Sequence, residues 1–110
     1  MMTSIEKRYA FTQTENKIVE KIIEDEHVGI NHMVLRKGEA LPEHFTNSNV
    51  YLIIARGTIT IQLGEQEPHD YLSGNIISIP YNIKMNASNK NDAVLEFFVI
   101  KAPSPPHYKA

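Results

Sequence analysis

The strongest constraint on this chain is a period of two. In Thr58-Ile59-Thr60-Ile61-Gln62-Leu63 polar and apolar residues alternate without a break. A strand built this way turns Ile59, Ile61 and Leu63 to one face and Thr58, Thr60 and Gln62 to the other. The habit recurs along the sequence. Residues 17–24 are rich in β-branched side chains, and in the next segment Val28, Ile30 and Val34 alternate with Gly29, Asn31, Met33 and Leu35. Val50-Tyr51-Leu52-Ile53-Ile54-Ala55 is apolar on both faces, the mark of a strand held between two layers. Ile76-Ile77-Ser78-Ile79 is a short strand halted by Pro80, which has no N–H for a ladder. Residues 93–100 make the last strand.

No stretch of ten residues shows a convincing 3.6 period. Residues 15–26 carry enough charge for a surface helix, but the β-branched pairs Ile18-Val19 and Ile22-Ile23 favour a strand. Short strands divided by Gly, Pro and Asn predict an all-β sandwich or barrel with at least eight strands. Ile59, Ile61, Leu63, Leu95, Phe97 and Val99 are expected inside it. The chain divides into an arm (1–16), a barrel domain (17–102) and a Pro-rich tail (103–110) opened by Pro103-Ser104-Pro105-Pro106.

Composition removes several function classes. A chain of 110 residues is one domain. Eleven Lys+Arg against thirteen Asp+Glu, with no basic stripe, argue against nucleic-acid binding, which needs concentrated positive charge. The absence of cysteine removes disulfides and thiolate sites and fits a reducing compartment. No signal-like apolar stretch or run of eighteen apolar residues occurs, so the expectation is a cytoplasmic protein without a membrane partner.

Two segments resemble the motifs of the cupin superfamily. Gly38-Glu39-Ala40-Leu41-Pro42-Glu43-His44-Phe45-Thr46, with Val50 and Gly57, follows the first: glycine, five residues, His-x-His, three or four residues, glutamate, six residues, glycine. Gly74 to Pro80, with Asn82, Met85 and Asn89, follows the second: glycine, five residues, proline, x, glycine, two residues, histidine, three residues, asparagine. The resemblance spans residues 17–101 and implies a jelly-roll β-barrel. Such barrels usually gather the three histidines and the glutamate around a divalent metal. Here only His44 survives, and Thr46, Val50 and Met85 occupy the other three positions.

The resemblance therefore implies a degenerate site: a pocket of His44, Thr46, Val50 and Met85 at the barrel mouth. No tightly bound cofactor is expected, at most a weakly held divalent metal on His44, with His32 as a second ligand if its side chain enters the barrel. Val50 and Met85 suit either an apolar pocket for a small organic ligand or a filled core. His27, His69 and His107 read as surface residues near a strand start, in a polar loop and in the tail, and Glu65, Glu67 and Asp70 as a solvated loop. Three functions follow, in order: a small-molecule binding module, a metal-dependent enzyme of dioxygenase or isomerase type with rebuilt ligands, and a non-catalytic interaction protein. Tyr51, Ile53, Phe98 and Ile100, on strands apolar on both faces, predict a homodimer, with residues 11–23 crossing between copies.

Overall fold

The computed structural model describes residues 4–109, so the first three residues of the expected arm and the last of the tail lie outside it. Nine strands run in chain order: β1 (Ile18–Glu24), β2 (Gly29–Leu35), β3 (His44–Phe45), β4 (Val50–Arg56), β5 (Thr58–Leu63), β6 (His69–Leu72), β7 (Ile76–Ile79), β8 (Lys84–Ser88) and β9 (Leu95–Lys101). One 3-10 turn, Pro105–His107, is the helical element among the described residues. All pairings between strands are antiparallel and form two sheets, β1-β2-β9-β4-β7 and β3-β8-β5-β6. The fold is all-β, as the alternation calls for, and a two-sheet jelly roll, as the resemblance implies.

The two sheets close over one core. Met33 and Leu35 from β2, Val50, Leu52 and Ile54 from β4, Phe97 and Val99 from β9 face Ile59, Ile61, Met85 and Ala87 of the other sheet. Leu95 is also buried, whereas Leu63, expected inside, is only partly covered and packs at the margin of the cluster. It is the last residue of β5, where the sheet runs out before the loop.

Three local devices set the geometry. Gly57 has φ 77°, and an added Cβ would collide with the Val94 carbonyl and come within 3.0 Å of the Leu95 Cα. Only glycine makes this turn without strain. Asn82 also sits in the left-handed region, with φ 64°, which asparagine tolerates better than most residues. It thereby replaces the glycine of the second motif. Asn89 is fully buried, and its amide donates to the carbonyls of Leu35 at 3.0 Å and Ala93 at 2.9 Å. This asparagine ties the β8–β9 loop to β2.

The stretch expected as a polar loop around His69 and Asp70 is in part the edge strand β6. Thr60 and Asp70 are register partners, and the threonine hydroxyl donates to the carboxylate at 2.7 Å. Polar side chains conceal a strand whose outer face meets solvent.

Candidate functional site

At the motif positions the interior is closed. Val50 is 2% exposed and Met85 3%, both within the packed core. Thr46 is buried, but its hydroxyl donates to the Pro80 carbonyl at 2.7 Å and accepts from the Ile83 N–H at 2.8 Å. The side chain standing at the second histidine position thus fastens the β3–β4 loop to the β7–β8 turn. His44 is the register partner of Met85, so the two project from the same face of the sheet. On the two-residue edge strand β3, however, the imidazole is exposed and its Nδ1 bonds the Pro42 carbonyl at 3.0 Å.

His32 does not join them. Its neighbours Met33 and Leu35 alternate into the core, which turns His32 to the opposite, outer face of the five-stranded sheet. The donor set does not fit the metal that the motifs imply: one exposed imidazole, one satisfied hydroxyl and two apolar side chains. Among the described residues no three His, Asp or Glu side chains converge as a metal site would require.

The outer face holds a polar cluster that the motifs do not announce. His32 is 0% exposed, with Nδ1 at 2.8 Å from Glu20 Oε2 and Nε2 at 2.6 Å from Glu96 Oε2. Register explains the meeting: His32 pairs with Glu20 on one side and Phe98 on the other, and Glu96 lies one rung away on β9. Ionised carboxylates only accept, so a ring nitrogen that carries a hydrogen donates it to the carboxylate it faces. Arg56 extends the chain, its Nε donating to Glu96 Oε1 at 2.8 Å and its Nη1 to Glu15 Oε2 at 2.6 Å.

Residues 11–15 lie across this cluster. The Phe11 ring rests 4.7 Å from the His32 ring and 5.0 Å from that of Phe98. Thr12 donates to the Glu20 carboxylate from its N–H at 2.8 Å and from its hydroxyl at 2.9 Å. The Thr14 carbonyl accepts from Arg56 at 3.2 Å. The Thr12 N–H bond, followed by the His32 bond, holds the Glu20 carboxyl below the ordinary glutamate value. Burial raises the Glu96 carboxyl, but the bonds from His32 and Arg56 outweigh it and leave a net lowering. The Glu15 bond first, opposed by burial and aided by Glu96, raises Arg56.

His27, His69 and His107 are exposed, as are Glu65, Glu67 and Asp70. What reading along the sequence missed is the Glu20–His32–Glu96–Arg56 chain. Its signal was a polar residue interrupting each of several apolar strands.

A closed two-sheet antiparallel barrel with a degenerate motif pair defines the cupin class, the double-stranded β-helix. No protein-family model matches the chain. An uncharacterized protein of Methanocaldococcus jannaschii, MJ0764, is 52% identical over 102 residues, 92% of this chain and 88% of the relative. The crystal structure of an RmlC-like cupin family protein with a double-stranded β-helix fold (MJ0764), from the same organism, superimposes with a TM-score of 0.91 at 50% identity. That match covers 94% of this chain and 96% of the other. The chain belongs to the RmlC-like cupin family. A double-stranded β-helix protein of Klebsiella pneumoniae shares the fold at TM-score 0.76 and 14% identity, over 93% and 92% of the two chains. A cupin superfamily protein of Desulfitobacterium hafniense does so at 0.71 and 13%, over 84% and 83%.

Proposed function

We propose that this cupin is a pairing module: a second copy docks on the outer face of the five-stranded sheet, and the barrel interior is a core rather than a reaction chamber. One observation carries the reading. Tyr51 and Ile53 of β4, Ile76 of β7, and Phe98 and Ile100 of β9 stand on adjacent strands of that face. Ile76 is 67% exposed and Tyr51 38%, and the other three are partly covered. A contiguous apolar sheet face of this kind marks an interaction surface. Self-pairing suits it because a two-fold contact needs only one self-complementary patch. Phe11 already rests at one end of the face, so the arm borders the contact. Light scattering of the purified chain at micromolar and higher concentration should report a dimer, and Tyr51→Lys with Ile76→Glu should give a folded monomer. A monomeric unmodified chain removes the proposal.

A second reading, a small-molecule binding module, draws support from a hollow of about 320 Å³ at the barrel rim, walled by Leu63, Gly64, Glu65, Gln66, Pro80 and Ile83. Leu63 is the register partner of Met85, which places the hollow over the motif region. Titration with an apolar fluorescent dye tests it: saturable binding abolished by Ile83→Glu supports this reading, and its absence removes it. The metal-dependent alternative retains one motif donor, His44. A cysteine-free chain suits the cytoplasm, which cell fractionation would check.

A further inference from the structure

Lys101 ends β9 between Gly29 of β2 and Val50 of β4. Val50 faces the core, so Lys101 leaves the sheet on its inner side. Lys21 and Asn31, register partners, stand on that same side, since Asn31 also pairs with core residue Val99. Asn47 from the β3–β4 loop and Pro105 and Pro106 from the tail complete a cavity of about 210 Å³. The walls are fastened in place. The Ser48 hydroxyl donates to the Pro103 carbonyl at 2.5 Å, the Ala102 N–H to the Asn49 carbonyl at 3.1 Å, and the Ser104 hydroxyl to the Asp25 carbonyl.

The Lys101 ammonium has no ion-pair partner of its own among the described residues, and the nearby Lys21 and Glu24 pair with each other at 3.2 Å. Burial, and then the positive charge of Lys21, lower the Lys101 pKa, while Glu24 acts in the opposite sense. Removing an ammonium from water without a partner is costly, and a bound anion offsets that cost.

We propose that this cavity binds a small monocarboxylate. The Lys101 ammonium and the side-chain amides of Asn31 and Asn47 hold the carboxylate, and a short carbon chain lies against Pro105 and Pro106. Three features select the class. One partly buried cation matches one negative charge. The rim pair Lys21–Glu24 cancels as a unit and supplies no second positive charge, which disfavours a phosphate dianion. The volume falls below that of pockets for drug-sized ligands and suits a molecule of a few carbons. The site lies on the inner side of the sheet and does not depend on pairing.

The test is an amide NMR titration of the full chain with acetate and with propionate at constant ionic strength, with phosphate and chloride as parallel arms. Saturable shifts centred on Gly29, Asn31, Asn47 and Lys101 are expected. The Lys101 pKa, followed at its Cε, should rise on binding, because the carboxylate stabilises the charged form. Lys101→Met should keep the spectrum of a folded barrel and weaken binding about tenfold to a hundredfold, the worth of one charge-assisted hydrogen bond. Asn31→Asp should weaken it in the same direction. Absence of saturation by both carboxylates, or equal saturation in Lys101→Met, overturns the proposal. Saturation by phosphate alone overturns the ligand class.

Discussion

The two faces of the five-stranded sheet are held by different physics. The inner face is sealed by Met33, Leu35, Leu52, Ile54, Phe97 and Val99, whose contribution grows with area and tolerates exchange among apolar shapes. The outer face holds His32 and Glu96 among Val34 and Phe98, with Glu20, Arg56 and Glu15 at its margins. Its contribution depends on matched donors and acceptors, and removing one member leaves the others unsatisfied. A barrel of this class can therefore fill its interior with apolar side chains and carry a demanding polar arrangement on its outer face.

Four substitutions test that contrast. Phe97→Ala should cost about 4 kcal/mol in chemical denaturation, as large-to-small changes in sealed cores do. A loss below about 2 kcal/mol would mean that the inner face collapses around the cavity, contrary to close packing. His32→Leu should cost about 3 kcal/mol near neutral pH, because two carboxylates lose their shared partner.

That second cost carries a pH signature. Glu20 and Glu96 titrate below their ordinary value of 4.5 in the folded chain, so their contribution is present above that value. It disappears as pH falls through the lowered folded values. The gap between the parent chain and His32→Leu should narrow on acidification below pH 4.5, and a gap independent of pH would show that the carboxylates are bystanders. Phe11→Ala should cost about 1 kcal/mol, the scale of a half-exposed aromatic contact. It should also speed amide exchange in residues 11–15 more than in β9, and equal acceleration would mean that the arm is not separately fastened. The smallest effect belongs to His44→Leu, expected within about 0.5 kcal/mol of the parent because the ring is exposed. A larger loss would restore a structural role to the surviving motif histidine.

The inner face was legible because one residue type repeated at one period suffices to read it. Ile59 and Ile61 alternate with polar neighbours, and Leu95, Phe97 and Val99 fall on the same parity. The motif glycines were legible as turns, since backbone geometry demands particular residues, and Asn89 as a motif position, whereas its tie to Leu35 and Ala93 appears only in the fold. Asn82 shows how a glycine position can change without changing the turn. The outer cluster was not legible. Glu20, His32 and Glu96 are separated by 12 and 64 residues, and only the register of β1, β2 and β9 brings them together. His44 was found by spacing alone, and spacing carries no statement about exposure. The strand β6 was hidden for a related reason, its alternation being polar on the solvent side.

The place of β9 has a consequence for biosynthesis. It lies between β2 and β4, so these two strands share a sheet only through a partner made after both. While residues 95–101 are still inside the ribosome, β2 and β4 each present an unpaired apolar edge, the kind of surface that seeks another chain. Closure waits for the last strand and then completes both halves of the sheet together. A nascent chain stalled before Leu95 should thus be the form most dependent on chaperones, and release of β9 the event that ends that dependence.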